Sequence, residues 1–444
     1  MNKTDKLSKS LIMNILLFGF MGQVAWAVEN NFFNLFLFNV IGGDSNDISN
    51  MVAASSIVAV LTTLFMGSLS DKLNKRKIFI CAGYIIWGIT VMAFAFISPE
   101  NVAKIMGTTP AAAIASTVTL VIVMDCLMTF MGSTSNDAAF NAWITDITSP
   151  SNRAKTESIL ALLPVIAMVI VTVAFGTLSG SFGYPACFIG LGLIVTLCGI
   201  VGIFSIKDSR NGVKSNSSFV ECLIYGFKPS VIKANKSLYL SLVSMGIFAI
   251  ASQIFFPYLF IYVDHYIDME TLKLTVPTII LAVAVIGGSI AALVSIILLS
   301  DKKGKAPFLF PSAAFFIIGL VLVYFADKNI IYFALSAVVA LVGYGLLMIM
   351  LNAAIRDFTP EDKAGQLQGI RMIFSVLLPM LIGPRVAAKI TDIYATAQYQ
   401  NEYGIMVDIP APHIYLGAAI AGALIVIPLF FLAKDFKKQQ EANK

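Results

Sequence analysis

Charge is scarce in this chain. Of 444 residues, 12% are charged and 58% are hydrophobic, and the mean hydropathy is +0.85. A soluble globular protein carries roughly 25% charged residues, so most of this surface is built for lipid. Histidine is scarcer still, with only His265 and His413, each near the end of an apolar run. The five cysteines, Cys81, Cys126, Cys187, Cys198 and Cys222, are scattered and show neither metal-ligand spacing nor a disulfide framework. No nucleophile motif or cluster of bases and metal ligands appears, so an enzyme is not expected, and no cofactor or metal is implied. Both tails are short, which argues against a sensor with a soluble output domain.

Long apolar runs are what the chain has in abundance. A spanning helix needs about 20 apolar residues. Twelve segments meet that length, at 12–41, 50–70, 78–98, 111–145, 158–180, 183–206, 237–264, 275–300, 306–326, 330–356, 364–390 and 413–434. Helices are expected because backbone facing lipid must satisfy its own hydrogen bonds. A β-barrel would show short alternating segments in place of runs such as "TVTLVIVMDCLMTF". The basic lead-in "MNKTDKLSKS" resembles a signal peptide, but the segment behind it is too long and too polar, and reads as a retained first helix.

Orientation follows from lysine and arginine. Of 30 such residues, 24 fall on one set of connections and tails, including Lys72, Lys75, Arg76 and Lys77, Arg153 and Lys155, and Lys302, Lys303 and Lys305. The opposite loops hold only Lys104, Lys273 and Lys328. A multi-pass protein of the cell membrane with both termini cytoplasmic is expected. The net charge of +5 is this asymmetry, so no nucleic-acid partner is implied.

One polar phrase is written twice. "NAWITDITSP" begins at Asn141 and "NAAIRDFTP" at Asn352, each at the end of a long apolar run. Both place an acid, Asp146 or Asp357, before Thr and Pro, then a base, Arg153 or Lys363, and later Leu-Leu-Pro at Pro164 or Pro379. A second pair, "GSLSDKLNKRK" and "LLSDKKGKAP", puts Asp71 and Asp301 ahead of basic clusters. Cytoplasmic loops are generally basic, but that does not account for the acids or their order. The repeat predicts two six-helix halves, 1–206 and 237–434, joined by a polar connection at 207–236 and followed by a tail at 435–444. Paired halves with a solute site between them mark secondary transporters.

The first loop, with Gly67, Asp71, Lys72, Lys75, Arg76 and Lys77, resembles the signature loop of the major facilitator superfamily, with Asn74 where that family usually has Gly. The second copy keeps Asp301, Lys302 and Gly304, with Ile297 in place of the first Gly. The resemblance covers nearly the whole chain. It implies an all-α membrane protein of twelve transmembrane helices in two pseudo-symmetric halves, a rocking, alternating-access mechanism, and usually a monomer. It also implies that Asp71, Arg76, Asp146, Arg153, Asp301 and Asp357 gate by charge contacts between helices.

Polar side chains within a span are costly and usually face a cavity. In segment one, Gln23, Trp26, Asn30 and Asn34 fall within about 80° on a regular helix, with Glu29 about 100° off that stripe. An aromatic ring beside amides suits a sugar, although a polar seam between helices reads the same way. In segment four, Asp125, Thr129, Ser133, Asn136 and Phe140 share a face, with Asp137 beside it. Counted from Asp146, Asp137 lies about 14 Å in and Asp125 about 32 Å in. Asp137 is therefore the expected substrate or proton site, and Asp125 is expected near the outer surface. Arg371 in segment eleven is deep enough to need a partner and joins Gln23, Trp26, Asn30, Asn34, Asn136, Asp137 and Phe140 as an expected substrate-binding residue, with a salt bridge to Asp137 as the structural alternative.

"DAAFNAW" from Asp137 and "LFLFNVIG" in segment one resemble stretches of the glycoside–pentoside–hexuronide:cation symporters, and "GQVAWAVENNFFNLF" is similar to the first helix of sucrose-type proton symporters. That resemblance implies a sugar or glycoside as the solute, bound by Asp137 and, near the helix-one position, Gln23. Ala139 replaces the usual Pro, and Gln23 replaces an acid. Segment two offers Ser55, Ser56, Thr62 and Thr63, without the paired carboxylates those symporters use for sodium or lithium. Coupling to protons through Asp137 or Glu29 is therefore expected. The alternative is a transporter or exporter of another small solute on the same scaffold.

Overall fold

The computed structural model describes residues 9–73, 75–148, 150–208, 224–267, 306–360 and 363–442. Its helices are α1 (Lys9–Ile41), α2 (Ser45–Leu73), α3 (Arg76–Ala93), α4 (Pro99–Met106), α5 (Pro110–Ile147) and α6 (Pro150–Ser205). They continue with α7 (Pro229–Ala234), α8 (Lys236–His265), α9 (Ala306–Tyr324), α10 (Ile330–Phe358), α11 (Leu367–Tyr394), α12 (His413–Ala423) and α13 (Val426–Ala442). Among the described residues, nine helices are long and apolar enough to cross a membrane, and α12 with α13 makes a tenth, bent by 41°.

Helix α6 is two expected segments run together. Gly183, at φ 77° and ψ 162°, interrupts it. That backbone is open to glycine and strained for other residues, and Pro185 follows. The break separates the runs 158–180 and 183–206 expected from the sequence. The expected segment 275–300 lies outside the described residues.

Local chemistry sets the helix starts. Ser98 caps α4 by accepting the Asn101 N–H at 3.3 Å, with Pro99 in the first turn. Thr109 does the same for α5, ahead of Pro110. Asn329 accepts from the N–H groups of Ile331 and Tyr332 at 3.1 and 3.0 Å, opening α10. All three are side-chain caps, and at Ser98 and Thr109 a proline without an N–H follows, the pattern expected of helix N-termini.

The chain divides into two compact units. The first holds Met1–Gly43, Ala54–Glu221 and Asn401–Ile405, and the second Asp44–Ala53, Cys222–Gln400 and Met406–Lys444. In the first unit α3 and α6 cross at glycines. A Cβ on Gly88 would fall 2.4 Å from the Gly192 carbonyl, and one on Gly192 would fall 2.4 Å from that of Gly88. Small residues let spanning helices approach this closely. In the second unit Gly319 and Gly343 do the same between α9 and α10. Aromatic rings fill the rest: Phe33, Phe94 and Phe188 in the first unit, and Tyr262, Phe333 and Tyr415 in the second. The second unit also carries a short antiparallel pair, β1 (Gln398–Gln400) and β2 (Met406–Asp408), with Tyr399 opposite Val407.

The written repeat reappears as a repeated helix end. Asn141 donates to the Asp137 carbonyl at 3.0 Å, and Asn352 to the Met348 carbonyl at 2.9 Å. Both helices stop at a threonine in extended backbone, Thr148 and Thr359, whose hydroxyl bonds Ile144 or Ile355 four residues back. The amide is thus a helix-lining residue, and the threonine closes the last turn.

Candidate functional site

Helix α5 is 38 residues long, or roughly 57 Å at 1.5 Å per residue, far beyond the ~30 Å of a bilayer core. Its middle lies near Met128. The helix is regular as far as Gly132 and then widens into a π-turn over Ser133–Phe140. Such turns cluster at functional sites, and this one carries Asn136 and Asp137.

A cavity of about 300 Å³ opens at the π-turn, within the first unit. Gly19 and Gln23 of α1, Asn136, Asp137, Phe140 and Asn141 of α5, and Leu160 and Leu163 of α6 line it. Four residues expected from the sequence, Gln23, Asn136, Asp137 and Phe140, are therefore brought to one place. Ser133 donates to Asp137 Oδ2 at 3.0 Å. Asn136 Nδ2 donates to the Tyr84 hydroxyl at 2.8 Å, and Tyr84 donates to the Phe18 carbonyl at 2.6 Å. The amide is thus oriented by a fully buried tyrosine of α3. Nothing in the sequence marked Tyr84 beyond its being a polar ring in an apolar run. Asn141 was visible only as the start of the repeat.

Trp26, Asn30 and Asn34 of the helix-one stripe do not line this cavity, although the Trp26 side chain lies beside Asp137. Trp26 packs on Trp87, with ring centroids 5.1 Å apart. Asn30, Asn31 and Asn34 donate to the carbonyls of Trp26, Ala27 and Asn30, each four residues back. These amides sit in or beside a second π-turn, Val28–Phe33. There backbone bonds step from four residues to five, and the side-chain amides supply donors to the carbonyls left over. Glu29, off the stripe on a regular helix, turns inward and accepts from Thr129 of α5 at 2.9 Å.

Asp125 is also inside. It is 1% exposed and lies close to the middle of α5. Arg371 belongs to the second unit, where it is exposed and donates to Asn352 Oδ1 at 3.5 Å.

Away from the cavity, Arg76 is 5% exposed at the start of α3. Its guanidinium donates to Asp146 at 3.0 Å, to Ser70 at 2.6 Å, and to Asp71, joining the ends of α2, α3 and α5. Asp208 accepts the Lys77 N–H at 2.8 Å, capping α3 from beyond α6. Arg153 lies in the first turn of α6 and Asp357 in the last turn of α10. Asp301 lies outside the described residues.

Residues 15–384 and 274–443 match the sequence profile of the Major Facilitator Superfamily. No curated protein sequence matches the chain. Among solved structures, a mutant of the nucleoside transporter NupG superposes with a TM-score of 0.68 at 13% identity, over 95% of this chain and 99% of that one. A bacterial homologue of the human lysosomal transporter Spinster, inward-facing and unoccupied, gives 0.64 at 12%, over 98% and 99%. The inward-open xylose transporter XylE from E. coli gives 0.63 at 12%, over 95% of each chain. At these identities the likeness speaks for the fold, and the profile, matched over most of the length, speaks for descent: the chain belongs to the major facilitator superfamily.

Proposed function

We propose that this protein is a proton-coupled symporter of a sugar or glycoside, working by alternating access as a monomer in the cell membrane, with both termini cytoplasmic. The observation that carries the reading is the convergence of Gln23, Asn136, Asp137 and Phe140 on one cavity of about 300 Å³. That size is at the lower end for small-molecule sites and suits one sugar ring. Amides and a carboxylate accept and donate to hydroxyls, and an aromatic face takes the apolar side of the ring. Asp137 is tied through one oxygen to Ser133, with the Trp26 indole beside it, and it borders the cavity where a solute or a proton would meet it. Glu29 is the second candidate proton carrier. The contacts of Arg76 with Asp71 and Asp146 act as a gate, with Arg153, Asp301 and Asp357 as further members.

A nucleoside is the second reading, because its ribose offers the same hydroxyl chemistry and one of the similar structures is a nucleoside transporter. The test is uptake of labelled sugars, glycosides and nucleosides into vesicles containing the purified protein, with proton and sodium gradients imposed separately. Accumulation of a sugar driven by protons alone supports the proposal. Accumulation of nucleosides but not sugars moves the assignment to the second reading. No uptake by folded protein overturns both.

A further inference from the structure

The amides of the cavity are not free to turn. Tyr84 gives its one hydroxyl hydrogen to the Phe18 carbonyl at 2.6 Å, so toward Asn136 it can only accept. Asn136 meets it with Nδ2 at 2.8 Å. Asn141 aims Nδ2 at the Asp137 carbonyl, 3.0 Å away, and a carbonyl also only accepts. Both contacts fix which end of the amide is nitrogen, and both direct that nitrogen at the protein. The amide oxygens are turned the other way. Asp137 adds a carboxylate, which accepts and does not donate when ionised. Among the described residues no lysine, arginine or histidine lines the cavity, and Asp137 forms no ion pair with one. A carboxylate withdrawn from water without a cation is costly. Phe140, also in the lining, packs on Trp143 with ring centroids 6.0 Å apart, and an aromatic face attracts cations.

We infer that this cavity selects a solute that is rich in hydrogen-bond donors and positively charged, an amino sugar ahead of its neutral parent, and that it excludes uronic acids and sugar phosphates. The inference rests on the sugar reading proposed above and narrows it. The ammonium of the solute pairs with Asp137, its hydroxyls donate to the oxygens of Asn136 and Asn141, and the apolar side of its ring lies on Phe140. Gln23 can offer either end of its amide and adapts to whichever hydroxyl reaches it. An anionic solute would bring its charge among these same oxygens, and like charges oppose one another more strongly where water is displaced. With Asp137 neutralised by the solute, the coupled proton is left to Glu29, which does not line this cavity.

The test is calorimetric titration of the purified full-length protein in detergent at neutral pH. The probes share one ring: glucose, glucosamine, glucuronate and glucose 6-phosphate, followed by the same set in the galacto configuration. N-Acetylglucosamine, which keeps the nitrogen and loses its charge, is the control. Expected is an amino sugar that binds about tenfold tighter than its parent, as when a charge-assisted contact replaces a neutral one. The acetylated sugar loses that advantage, and the anions give no heat of binding. Asp137→Asn brings the amino sugar down to the affinity of the parent, while Asp137→Glu, which keeps the charge, retains the preference. A neutral sugar that binds as tightly as its amine, or a uronate that binds as well as the neutral sugar, overturns the inference and leaves the sugar reading standing. A preference for the amine that survives Asp137→Asn overturns the assignment to this cavity. Folded protein that binds none of the probes overturns the inference and the sugar reading together.

Discussion

At the scale of single residues, Asp137 is held by Ser133 and neighboured by the Trp26 indole. Ser133 fixes one oxygen, and the carboxyl borders the cavity. Asparagine keeps the shape and removes the charge. Asp137→Asn is expected to abolish accumulation while the protein still reaches the membrane, as measured by uptake alongside surface labelling; full uptake by the variant would remove Asp137 from the site. Arg76 is the opposite case, a buried cation with three partners. Removing it leaves Asp146 and Asp71 facing one another, and the loss of one partner of a buried ion pair costs about 3–5 kcal/mol. Asp71→Ala takes away only one, partly exposed contact. It is expected to slow transport several-fold and leave solute preference unchanged, and a competition assay with a solute panel checks this. A changed preference would mean that the loop touches the solute path.

At the scale of elements, what the sequence made legible depended on regular geometry. The apolar runs and the repeat at Asn141 and Asn352 are local patterns, and the described helices follow them. Of the expected face of α5, Asn136 and Phe140 line the cavity and Ser133 bonds Asp137. Of the expected stripe on α1, Gln23 lines it. The stripe assumed 100° per residue from Gln23 to Asn34, and the π-turn Val28–Phe33 alters that phase, sending Glu29 inward and Asn30 outward. No residue type announces a π-turn, since Asn31 and Asn34 reveal their part only once their carbonyl partners are seen. Tyr84 was illegible for another reason: its importance comes from contact across helices with Asn136. The packing of α1 on α5 at that point leaves no room. A Cβ on Gly22 would fall 2.0 Å from Asn136 Nδ2 and 2.8 Å from the Tyr84 hydroxyl. Gly22→Ala is therefore expected to displace the Asn136 amide, weaken solute affinity at least about tenfold, and lower stability by about 1–3 kcal/mol, the usual cost of overpacking. Solute binding to the purified variant, together with its melting temperature, checks both effects; unchanged affinity would show that Asn136 does not contact solute.

At the scale of the whole molecule, the repeat preserves helix ends and loop acids but not the acids within the fourth span. Shifting by the 211 positions that relate Asn141 to Asn352 puts Met348 where Asp137 stands, Ser336 where Asp125 stands and Ala340 where Thr129 stands. The first half keeps two carboxylates in the fourth span, and the second half has none at the matching places of α10. Asn352 donates to the Met348 carbonyl as Asn141 does to that of Asp137, but Met348 stands on regular helix where Asp137 stands in a π-turn. What it lacks is the setting of Asp137, since Tyr344 stands at the position matching Ser133 and Leu347 at that matching Asn136. Ion coupling should therefore belong to the first half alone. The double variant Asp137→Asn with Met348→Asp is expected to stay inactive in proton-driven uptake, although it restores the number of acids. Recovery of accumulation by that variant would show that an acid at either pseudo-equivalent position suffices, and that the hydroxyl, amide and tyrosine around Asp137 are dispensable for coupling.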